Sequence, residues 1–446
     1  MIGKKETLEI LDKVVQMAGR DAVEGVLSSR LTSVTRFLNS AIGQNVDTEE
    51  TFLQVRVALG QKVGQARTNA LDDDGILRAV EEAKEIAKLS GQDDGFPGFP
   101  AAEPSVPLDA FVPATANCTP EDRSLMAAQV ADVARSYDVE AYGVIEMGTR
   151  ELAIANSSGV RGYHADTVAS MHVVAVKDQG ISSRNFSSRD VSTIDPEALT
   201  QMAAERCLAS CRPILLPPGQ YDVILEEEAV KDILMHLGAL AFGALVLQEK
   251  RSFIAGRMGE RVLGENVTIW DDGMDADGFG FPFDMEGVPK RRVMLIENGI
   301  AKGVVYDTRT ARVDGVESTG HAIPPIWYAS GPMPINMFMA GGKATRKSLI
   351  ANTKRGVLIN RFHYSRPIDP ASAVVTGITR EGTFLVEDGQ IVSGLKNLRY
   401  IQSYPEALRN VVDLTRETKL QTEYHVNANV PVIKVSGFNI TGSSGD

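Results

Sequence analysis

The sequence contains no apolar run long enough to cross a membrane as a helix. A membrane-spanning helix needs about 20 predominantly apolar residues, and the best candidate in the 446-residue chain is the shorter run 237–247. That run predicts a buried helix instead. Residues 1–10 begin a charged helical pattern and lack the apolar stretch and small-residue cleavage site of a secretory signal. We therefore expect a cytoplasmic protein that does not enter a membrane.

Cysteine is also scarce. The chain has three, Cys118, Cys207 and Cys211, and none follows Cys211. The last two lie in a stretch with a helical pattern and do not form a Cys-x-x-Cys pair. This usage excludes a disulfide-rich scaffold, and we expect all three side chains to be reduced thiols.

Positive charge is in deficit. The 46 Lys and Arg residues face 58 Asp and Glu residues, for a net charge of -12. The densest basic run, 290–292, is too short to attract a polyphosphate backbone. Residues 341–345 resemble the end of a phosphate-binding loop, but Met337 replaces the leading glycine and Ala344 the magnesium-binding hydroxyl residue. We expect no nucleic-acid partner.

The residues that are present predict a folded chain of two domains. The apolar fraction is 43% and the charged fraction 23%, and the length exceeds what one ordinary core accommodates. The N-terminal domain is predicted to span 1–215 and the C-terminal domain 219–446, with a Gly/Pro-rich connection over 91–120 inside the first. Strand and helix alternation of the βαβ type is not sustained. We predict a two-lobed α+β fold, with antiparallel strands in an N-terminal α/β lobe and a β-rich C-terminal lobe.

Local patterns predict the elements of both domains. In the first domain, apolar spacing and acidic caps predict helices, and alternation of apolar with polar residues predicts strands. The predicted helices are 4–18, a helix that begins after Asp72, Asp73 and Asp74, 121–136 and 196–211. The predicted strands are 25–39, 51–60, 140–145, 151–155 and 167–176. The second domain opens with a strand over 221–225 and a helix over 226–248. Asn298-Gly299 and Asp388-Gly389 predict two β-hairpins.

The helix 226–248 carries a regular set of possible ligands. Glu228, Asp232 and His236 recur at every fourth position and so share one helix face. Such a face could bind a metal ion. A solvated acidic face, with an ion pair between Glu227 and Lys231, explains the same residues. The pattern alone leaves both interpretations open.

Several passages along the chain resemble the TldD/PmbA family, whose members were first labelled modulators of DNA gyrase. The resemblance covers nearly the whole chain and keeps its order; it is carried by the Asp-rich start and Arg-Ala-Val-Glu-Glu-Ala of 72–89, Ala-Asn-Ser-Ser-Gly at 155–159, Tyr-Asp-Thr-Arg-Thr-Ala at 306–311, Ser-Thr-Gly-His-Ala at 318–322, 349–356 and Arg-Phe-His at 361–363. The resemblance implies a cytoplasmic metallopeptidase built from two kinds of subunit.

The TldD-type subunit of that family carries His-Glu-x-x-x-His on the helix at this place and takes a third zinc ligand from a cysteine near its C-terminus. Here Glu228 matches the motif glutamate, but Glu227 and Asp232 replace the two histidines, and no cysteine follows Cys211. Carboxylates hold zinc less selectively than imidazole and thiolate. The resemblance therefore implies that this chain binds no zinc or other cofactor and has no catalytic residues of its own.

The other subunit type, PmbA or TldE, lacks the metal. The run 236–243, followed by Lys-Arg-Ser-Phe at 250–253, is similar to that type. The resemblance implies a non-catalytic subunit that pairs with a zinc-bearing TldD-type subunit and encloses a chamber. The heterodimer would degrade or process unfolded or modified peptides, and this chain would bind them through exposed strand edges.

Motif position nominates the residues that face peptide or chamber. They are Glu228, His236, Arg361 and His363, and His425 is a further histidine that could face the same space. Two other functions remain open. One is a self-sufficient homodimeric hydrolase that binds a harder metal through the carboxylate-rich helix, and the other is a peptide-binding regulatory protein without hydrolysis.

Overall fold

The computed structural model describes residues 1–324, 331–423 and 426–443, and their strands form two sheets. The first sheet lies in the N-terminal lobe and is antiparallel throughout, and the second is a larger mixed sheet in the C-terminal lobe. The predicted two-lobed α+β fold is confirmed. None of the helices in the described ranges combines the length and apolar character that crossing a bilayer requires.

The N-terminal lobe is one sheet covered by helices on one side. Its strands, in spatial order β3-β2-β1-β4-β5-β6, are β1 (Ala22–Leu38), β2 (Ala41–Leu59), β3 (Lys62–Thr68), β4 (Glu140–Asn156), β5 (Arg161–Lys177) and β6 (Gly180–Ser188). The helices are α1 (Lys4–Ala18), α2 (Asp73–Leu89), α3 (Pro113–Ala116), α4 (Pro120–Ser136) and α5 (Pro196–Ala209), with a short 3-10 helix at Val191–Thr193. Buried side chains of α1 and α2 form one core with β1–β3, and those of α4 and α5 form another with β4 and β5.

The C-terminal lobe is strand-rich. Its strands are β7 (Gly219–Leu225), β8 (Ile269–Asp271), β9 (Val293–Glu297), β10 (Ile300–Ala301), β11 (Asn336–Met339), β12 (Arg355–Asp369), β13 (Val374–Glu387), β14 (Gln390–Gly394), β15 (Leu398–Ser403), β16 (Val411–Glu423) and β17 (Val426–Ser443). The helices are α6 (Glu227–Leu240), α7 (Ala244–Gln248), α8 (Thr308–Asp314), α9 (Arg346–Ala351) and α10 (Tyr404–Arg409). The largest core of the described chain surrounds α6 and includes Val223, Ile233 and Ile433.

Most of the predicted N-terminal elements are present. Asp72 caps α2, since its carboxylate accepts a hydrogen bond from the backbone N–H of Gly75 at 2.7 Å. The strands predicted over 140–145 and 151–155 are a single strand, β4, which pairs with β1 and β5 along most of its length. β6 was not predicted, because its sequence GISSRNFSS lacks alternating apolar residues.

The helix predicted over 226–248 is wrong in its extent. It divides into α6 and α7, because the backbone at 242–244 pairs with Val305 as a bridge of strand type. Val305 donates to the carbonyl of Phe242, and Ala244 donates to the carbonyl of Val305, both at 2.9 Å. These bonds divert the chain from helical geometry after Leu240.

Both predicted hairpins are confirmed. Asn298 and Gly299 connect β9 to β10, and Asp388 and Gly389 connect β13 to β14. All four residues have positive φ, between 45° and 79°. Two successive residues of positive φ define the tight turn whose twist suits antiparallel strands.

A segment between β8 and β9 joins the two lobes. Phe283 packs with Val26, Ile154 and Val160 of the N-terminal lobe. Arg189, just after β6, donates hydrogen bonds to the carbonyls of Gly278 at 3.1 Å and Gly280 at 3.3 Å. Apolar packing and hydrogen bonding thus both fix the lobes against each other.

The same segment buries two acidic side chains. Asp284 accepts backbone hydrogen bonds from Glu286 and Val288 at 2.9 Å and from Ala322 at 2.8 Å. Burial raises the pKa of Asp284 to about 6, and these donors limit the rise by favouring its charged form. The pKa of Glu286 is raised to about 8, first by burial and then by the charge of Asp284. The proton therefore resides on Glu286 in the folded chain near neutral pH.

This raised pKa predicts a pH-dependent stability. Between about 4.5 and about 8 the folded chain holds a proton on Glu286 that the unfolded chain releases, so the group's contribution to stability falls as pH rises. Glu286→Gln stays neutral and can still accept from the backbone of Thr308. The measurement is the thermal midpoint of the variant minus that of the wild type, by scanning calorimetry. We expect this difference to increase by roughly 2 °C or more between pH 5 and pH 8.

The matched control is Glu49→Gln, a substitution of an exposed glutamate on β2. Its midpoint relative to the wild type should not change with pH. A Glu286→Gln difference that is also independent of pH would contradict the assignment of the proton.

Candidate functional site

A cleft of about 720 Å³ lies between the two lobes. One wall is formed by Ser170, Met171 and His172 of β5 and Asn185, Phe186 and Ser187 of β6. The opposite wall belongs to the C-terminal lobe and consists of residues of α6 and β12 together with Thr422 of β16. We call this space the interlobe cleft.

The direction of α6 decides which side chains enter the cleft. The helix follows β7, and the backbone N–H of Glu226 donates to the carbonyl of Ile359 on the neighbouring strand β12 at 2.9 Å. Glu228, Asp232 and His236 all line the cleft. The predicted common face of these three residues is confirmed.

Glu226, at the N-cap of α6, is the centre of a buried ion cluster. Its residue is 2% exposed, and Arg206 of α5 donates two hydrogen bonds to its carboxylate at 2.6 and 2.8 Å. Arg184 of β6 and Arg346 of α9 lie 3.4 Å from its oxygens. Burial alone would raise the pKa of Glu226, but the three guanidinium groups hold it below its ordinary value. We call Arg184, Arg206 and Arg346 the arginine cluster. The first two belong to the N-terminal lobe and the third to the C-terminal lobe, so side chains of both lobes meet at the start of α6.

Glu227 does not line the cleft. Arg346 donates to both oxygens of its carboxylate, at 3.0 and 2.7 Å, and the Lys419 ammonium lies 4.0 Å away. The charge of Glu226 raises the pKa of Arg346. Burial opposes this rise, and the charge of Glu227 adds to it. The first position of the degenerate motif is therefore committed to an ion pair.

Asp232 is held by a line of hydroxyl groups. The Tyr404 hydroxyl donates to Asp232 Oδ2 at 2.8 Å, and the hydroxyls of Tyr400 and Ser365 follow at steps of 2.9 Å. Burial, and then the charge of Asp232, raises the pKa of Tyr404 well above its ordinary value. The His236 ring lies edge-on to Tyr404, and its Nδ1 is 2.8 Å from the backbone oxygen of Asp232.

A chain of alternating charges continues from Glu228 along the cleft. Arg361 lies 3.9 Å from Glu228 and 3.4 Å from Glu381. Arg380 is 3.0 Å from the other oxygen of Glu381 and 2.7 Å from Nε2 of His363. Because a guanidinium can only donate, Nε2 of His363 accepts this bond and carries no proton.

The four residues nominated from the sequence, Glu228, His236, Arg361 and His363, therefore lie in one cleft. Their contact with peptide or chamber stays a prediction. His425 lies outside the described residues. No sequence pattern pointed to Tyr404, which donates to Asp232, or to Glu381, which lies 3.4 Å from Arg361.

The residues at the motif do not fit a tight zinc site. Glu227 is occupied by Arg346, and one oxygen of Asp232 accepts from Tyr404. Within the described ranges, no group of three or more His, Cys, Asp and Glu side chains has an arrangement that could hold a metal ion. A zinc site of the family's type would need donors that these side chains do not supply.

The cysteines lie elsewhere. All three are free, as predicted. Cys207 is buried in the N-terminal lobe, with its sulfur 3.3 Å from the carbonyl of Gly180. Burial raises the pKa of its thiol to about 12, so this group is an unreactive structural thiol.

Comparison with known proteins identifies the family. Models of the PmbA/TldA metallopeptidase match residues 23–87 as domain 1, 116–210 as the central domain and 218–442 as the C-terminal domain. The chain belongs to the PmbA/TldD metallopeptidase family. The resemblance carried by the sequence motifs is thereby confirmed, and the third model contains α6 and most of the residues of the cleft.

Individual members of the PmbA/TldD family match over different lengths. The metalloprotease PmbA of Escherichia coli O157:H7 is 23% identical over 96% of both chains. A metalloprotease of Methanothermobacter thermautotrophicus is 29% identical over 49% of this chain, and the match spans 47% of that protein. The crystal structure of TldE from Thermococcus kodakarensis has the same fold, with a TM-score of 0.87, 20% identity and coverage of 97% of this chain and 100% of that one.

The arginine cluster predicts a large effect of neutralising Glu226. In Glu226→Gln the three guanidinium groups lose the charge that compensates their burial, and breaking a buried pair in this way costs roughly 3 kcal/mol or more. We expect the free energy of unfolding, measured in urea, to fall by about that amount. The control is Glu227→Gln. Glu227 pairs with Arg346 and lies 4.0 Å from Lys419, and its substitution should cost less. Equal losses for the two variants would contradict the central role of Glu226.

Proposed function

We propose that this chain is the non-catalytic, PmbA/TldE-type subunit of a heterodimeric TldD/TldE zinc metallopeptidase in the cytoplasm. The zinc belongs to the TldD-type partner, and this chain binds no cofactor. The complex degrades or processes unfolded or modified peptides. This subunit completes the wall of the chamber and binds the peptide.

The observation that carries the proposal is the commitment of the motif positions to other partners. Glu227 is neutralised by Arg346 and Asp232 is bound by Tyr404, where a zinc-bearing helix requires free imidazole nitrogens. Removing either partner would leave a buried carboxylate without its compensating contact. The helix is therefore stabilised as a scaffold for the cleft.

The lengths of the matches support the PmbA type. The match to the E. coli PmbA protein runs through 96% of each chain, whereas the match to the M. thermautotrophicus metalloprotease covers 49% of this chain. The fold also agrees along 97% of this chain with that of T. kodakarensis TldE. A shared architecture over the full length is what a subunit of the same type requires.

The position of β6 supports peptide binding. β6 is the last strand of the N-terminal sheet in the described chain, and its residues Asn185, Phe186 and Ser187 line the interlobe cleft. An edge strand can extend its sheet by pairing with an extended peptide through main-chain hydrogen bonds. Such pairing depends little on the peptide's side chains, which suits unfolded substrates.

One observation favours a second function. Glu228, Asp232 and His236 share the face of α6 that lines the cleft, and a harder metal such as manganese accepts carboxylate ligands. A homodimeric hydrolase could use this face. It would have to withdraw Asp232 from Tyr404 first.

The proposal predicts that hydrolysis requires both subunit types. The test measures cleavage of a fluorescein-labelled unfolded protein by this chain, by the TldD-type chain of the same genome, and by their equimolar mixture. We expect activity in the mixture well above the sum of the separate chains, and loss of it when the glutamate of the partner's His-Glu-x-x-x-His is changed to glutamine.

Three other outcomes have distinct meanings. Activity of this chain alone that falls by about 100-fold in Glu228→Gln would establish the homodimeric hydrolase instead. Binding of the peptide without hydrolysis, in a genome that encodes no TldD-type chain, would establish a regulatory protein. A mixture with the cognate partner that remains inactive would refute the heterodimer.

A further inference from the structure

An exposed tyrosine lies in the wall of the interlobe cleft. Tyr364 of β12 lines the cleft and is 67% exposed. The other large apolar side chains of the cleft wall are committed to packing within the lobes. Met171 and Phe362 are buried, and Phe186 and Met235 pack against the two cores. In the described parts of the chain, Tyr364 belongs to none of the cores. Its ring is therefore apolar surface that is open to a ligand in the cleft.

The backbone at Tyr364 has a conformation that is unfavourable for its side chain. Its φ is 53°, in the left-handed region, where a bulky residue is an outlier. The register of β12 against β13 shifts between His363 and Arg366. Two residues, Tyr364 and Ser365, therefore lie opposite one residue, Gly377, in a β-bulge. Glycine is the usual residue where a bulge requires positive φ, and this bulge has tyrosine there instead.

The neighbours of Tyr364 hold the bulge in place but leave the ring uncovered. The hydroxyl of Ser365 lies 2.9 Å from that of Tyr400, which is fully buried in the C-terminal core. The ring of His363 lies edge-on to the ring of Tyr364, with 4.6 Å between their centroids. The guanidinium of Arg366 lies 5.9 Å from the ring centroid of Tyr364. The bulge is thus anchored to the core through Ser365, while Tyr364 remains exposed.

The strain at Tyr364 is not offset by packing within the lobe. Asparagine tolerates positive φ better than an aromatic residue does, and a residue as exposed as Tyr364 loses little burial on replacement. Strained residues of this kind cluster where a protein binds its ligands. We therefore expect the ring to make its stabilising contacts with a ligand in the cleft.

The surroundings of the ring favour an apolar ligand group. Arg366 is exposed beside the ring, and its charge would repel a lysine or arginine side chain of a ligand. The face of an aromatic ring is negative and disfavours a carboxylate. An apolar or aromatic side chain meets neither penalty and buries its surface against the ring. Unfolded chains expose such side chains, whereas folded proteins bury most of them.

We propose that Tyr364 binds an apolar side chain of an unfolded peptide in the interlobe cleft, and that the strained bulge of β12 holds the ring in position for this contact. The inference rests on the proposed peptide substrates and names the residue that selects among them.

The test is peptide binding by the purified full chain, measured by fluorescence anisotropy. The probes are three fluorescein-labelled, Gly- and Ser-rich peptides that carry phenylalanine, alanine or lysine at one central position. We expect the wild type to bind the phenylalanine peptide about 10-fold more tightly than the alanine peptide, and the lysine peptide most weakly. Tyr364→Phe keeps the ring and should keep this preference, whereas Tyr364→Asn should bind the phenylalanine and alanine peptides equally.

The thermal midpoint provides a second readout. Because asparagine relieves the strain, Tyr364→Asn should raise the midpoint by roughly 2 °C, whereas Tyr364→Phe should leave it unchanged. Improved stability together with lost preference would distinguish a ligand-binding role from a structural one.

The matched control is Lys250→Asn. Lys250 follows α7, has a φ of 56° and is exposed outside the cleft. Its substitution should raise the thermal midpoint in the same way and leave peptide binding unchanged.

Four outcomes would overturn the proposal. They are no binding by the wild type, equal or stronger binding of the alanine or lysine peptide by the wild type, an unchanged preference in Tyr364→Asn, and a lower thermal midpoint in Tyr364→Asn. Zinc content, hydrolysis and pairing with a partner do not enter these measurements, so the heterodimer can fail separately.

Discussion

One buried carboxylate, that of Glu226, fixes the geometry on which the cleft depends. Its residue is 2% exposed, and guanidinium groups from both lobes surround it. Burying these charges is costly and is tolerated only because the contacts are close and complementary. Since Glu226 is the N-cap residue of α6, the cluster holds the start of the helix against both lobes. From this start the helix presents Glu228, Asp232 and His236 to the cleft.

The acidic side chains at the start and middle of α6 are held by contacts within the protein. Glu227 is paired with Arg346, and Asp232 is bound to Tyr404. These contacts satisfy the carboxylates within the protein and leave the cleft with a line of balanced charges. The line ends at Arg361, Arg380 and His363. We propose that this face of α6 forms a wall against which the peptide binds.

Local sequence pattern was sufficient for the elements stabilised by local contacts. The cap of α2 at Asp72 and the turns at Asn298-Gly299 and Asp388-Gly389 follow from side-chain and backbone preferences within a few residues. The spacing of Glu228, Asp232 and His236 likewise placed the three on one helix face. These features required no knowledge of the rest of the chain.

The remaining features depend on contacts between distant residues. The break between α6 and α7 is caused by pairing with Val305, which the apolar run 237–247 does not reveal. β6 forms because β5 pairs with it, although its serine-rich sequence has no strand pattern. Tyr404, the partner of Asp232, is 172 residues away from it along the chain, and Arg206, the partner of Glu226, is 20 residues away. Neither partner belongs to a sequence motif. Tertiary contacts of this kind cannot be read from periodicity.

The central claim is that this chain is the metal-free member of a heterodimer. The most direct measurement is the metal content and native mass of the protein copurified from its own host. The account predicts a zinc-free chain paired one to one with a zinc-bearing homologue. A homodimer of this chain with stoichiometric metal would contradict the account and assign hydrolysis to the carboxylate-rich face of α6.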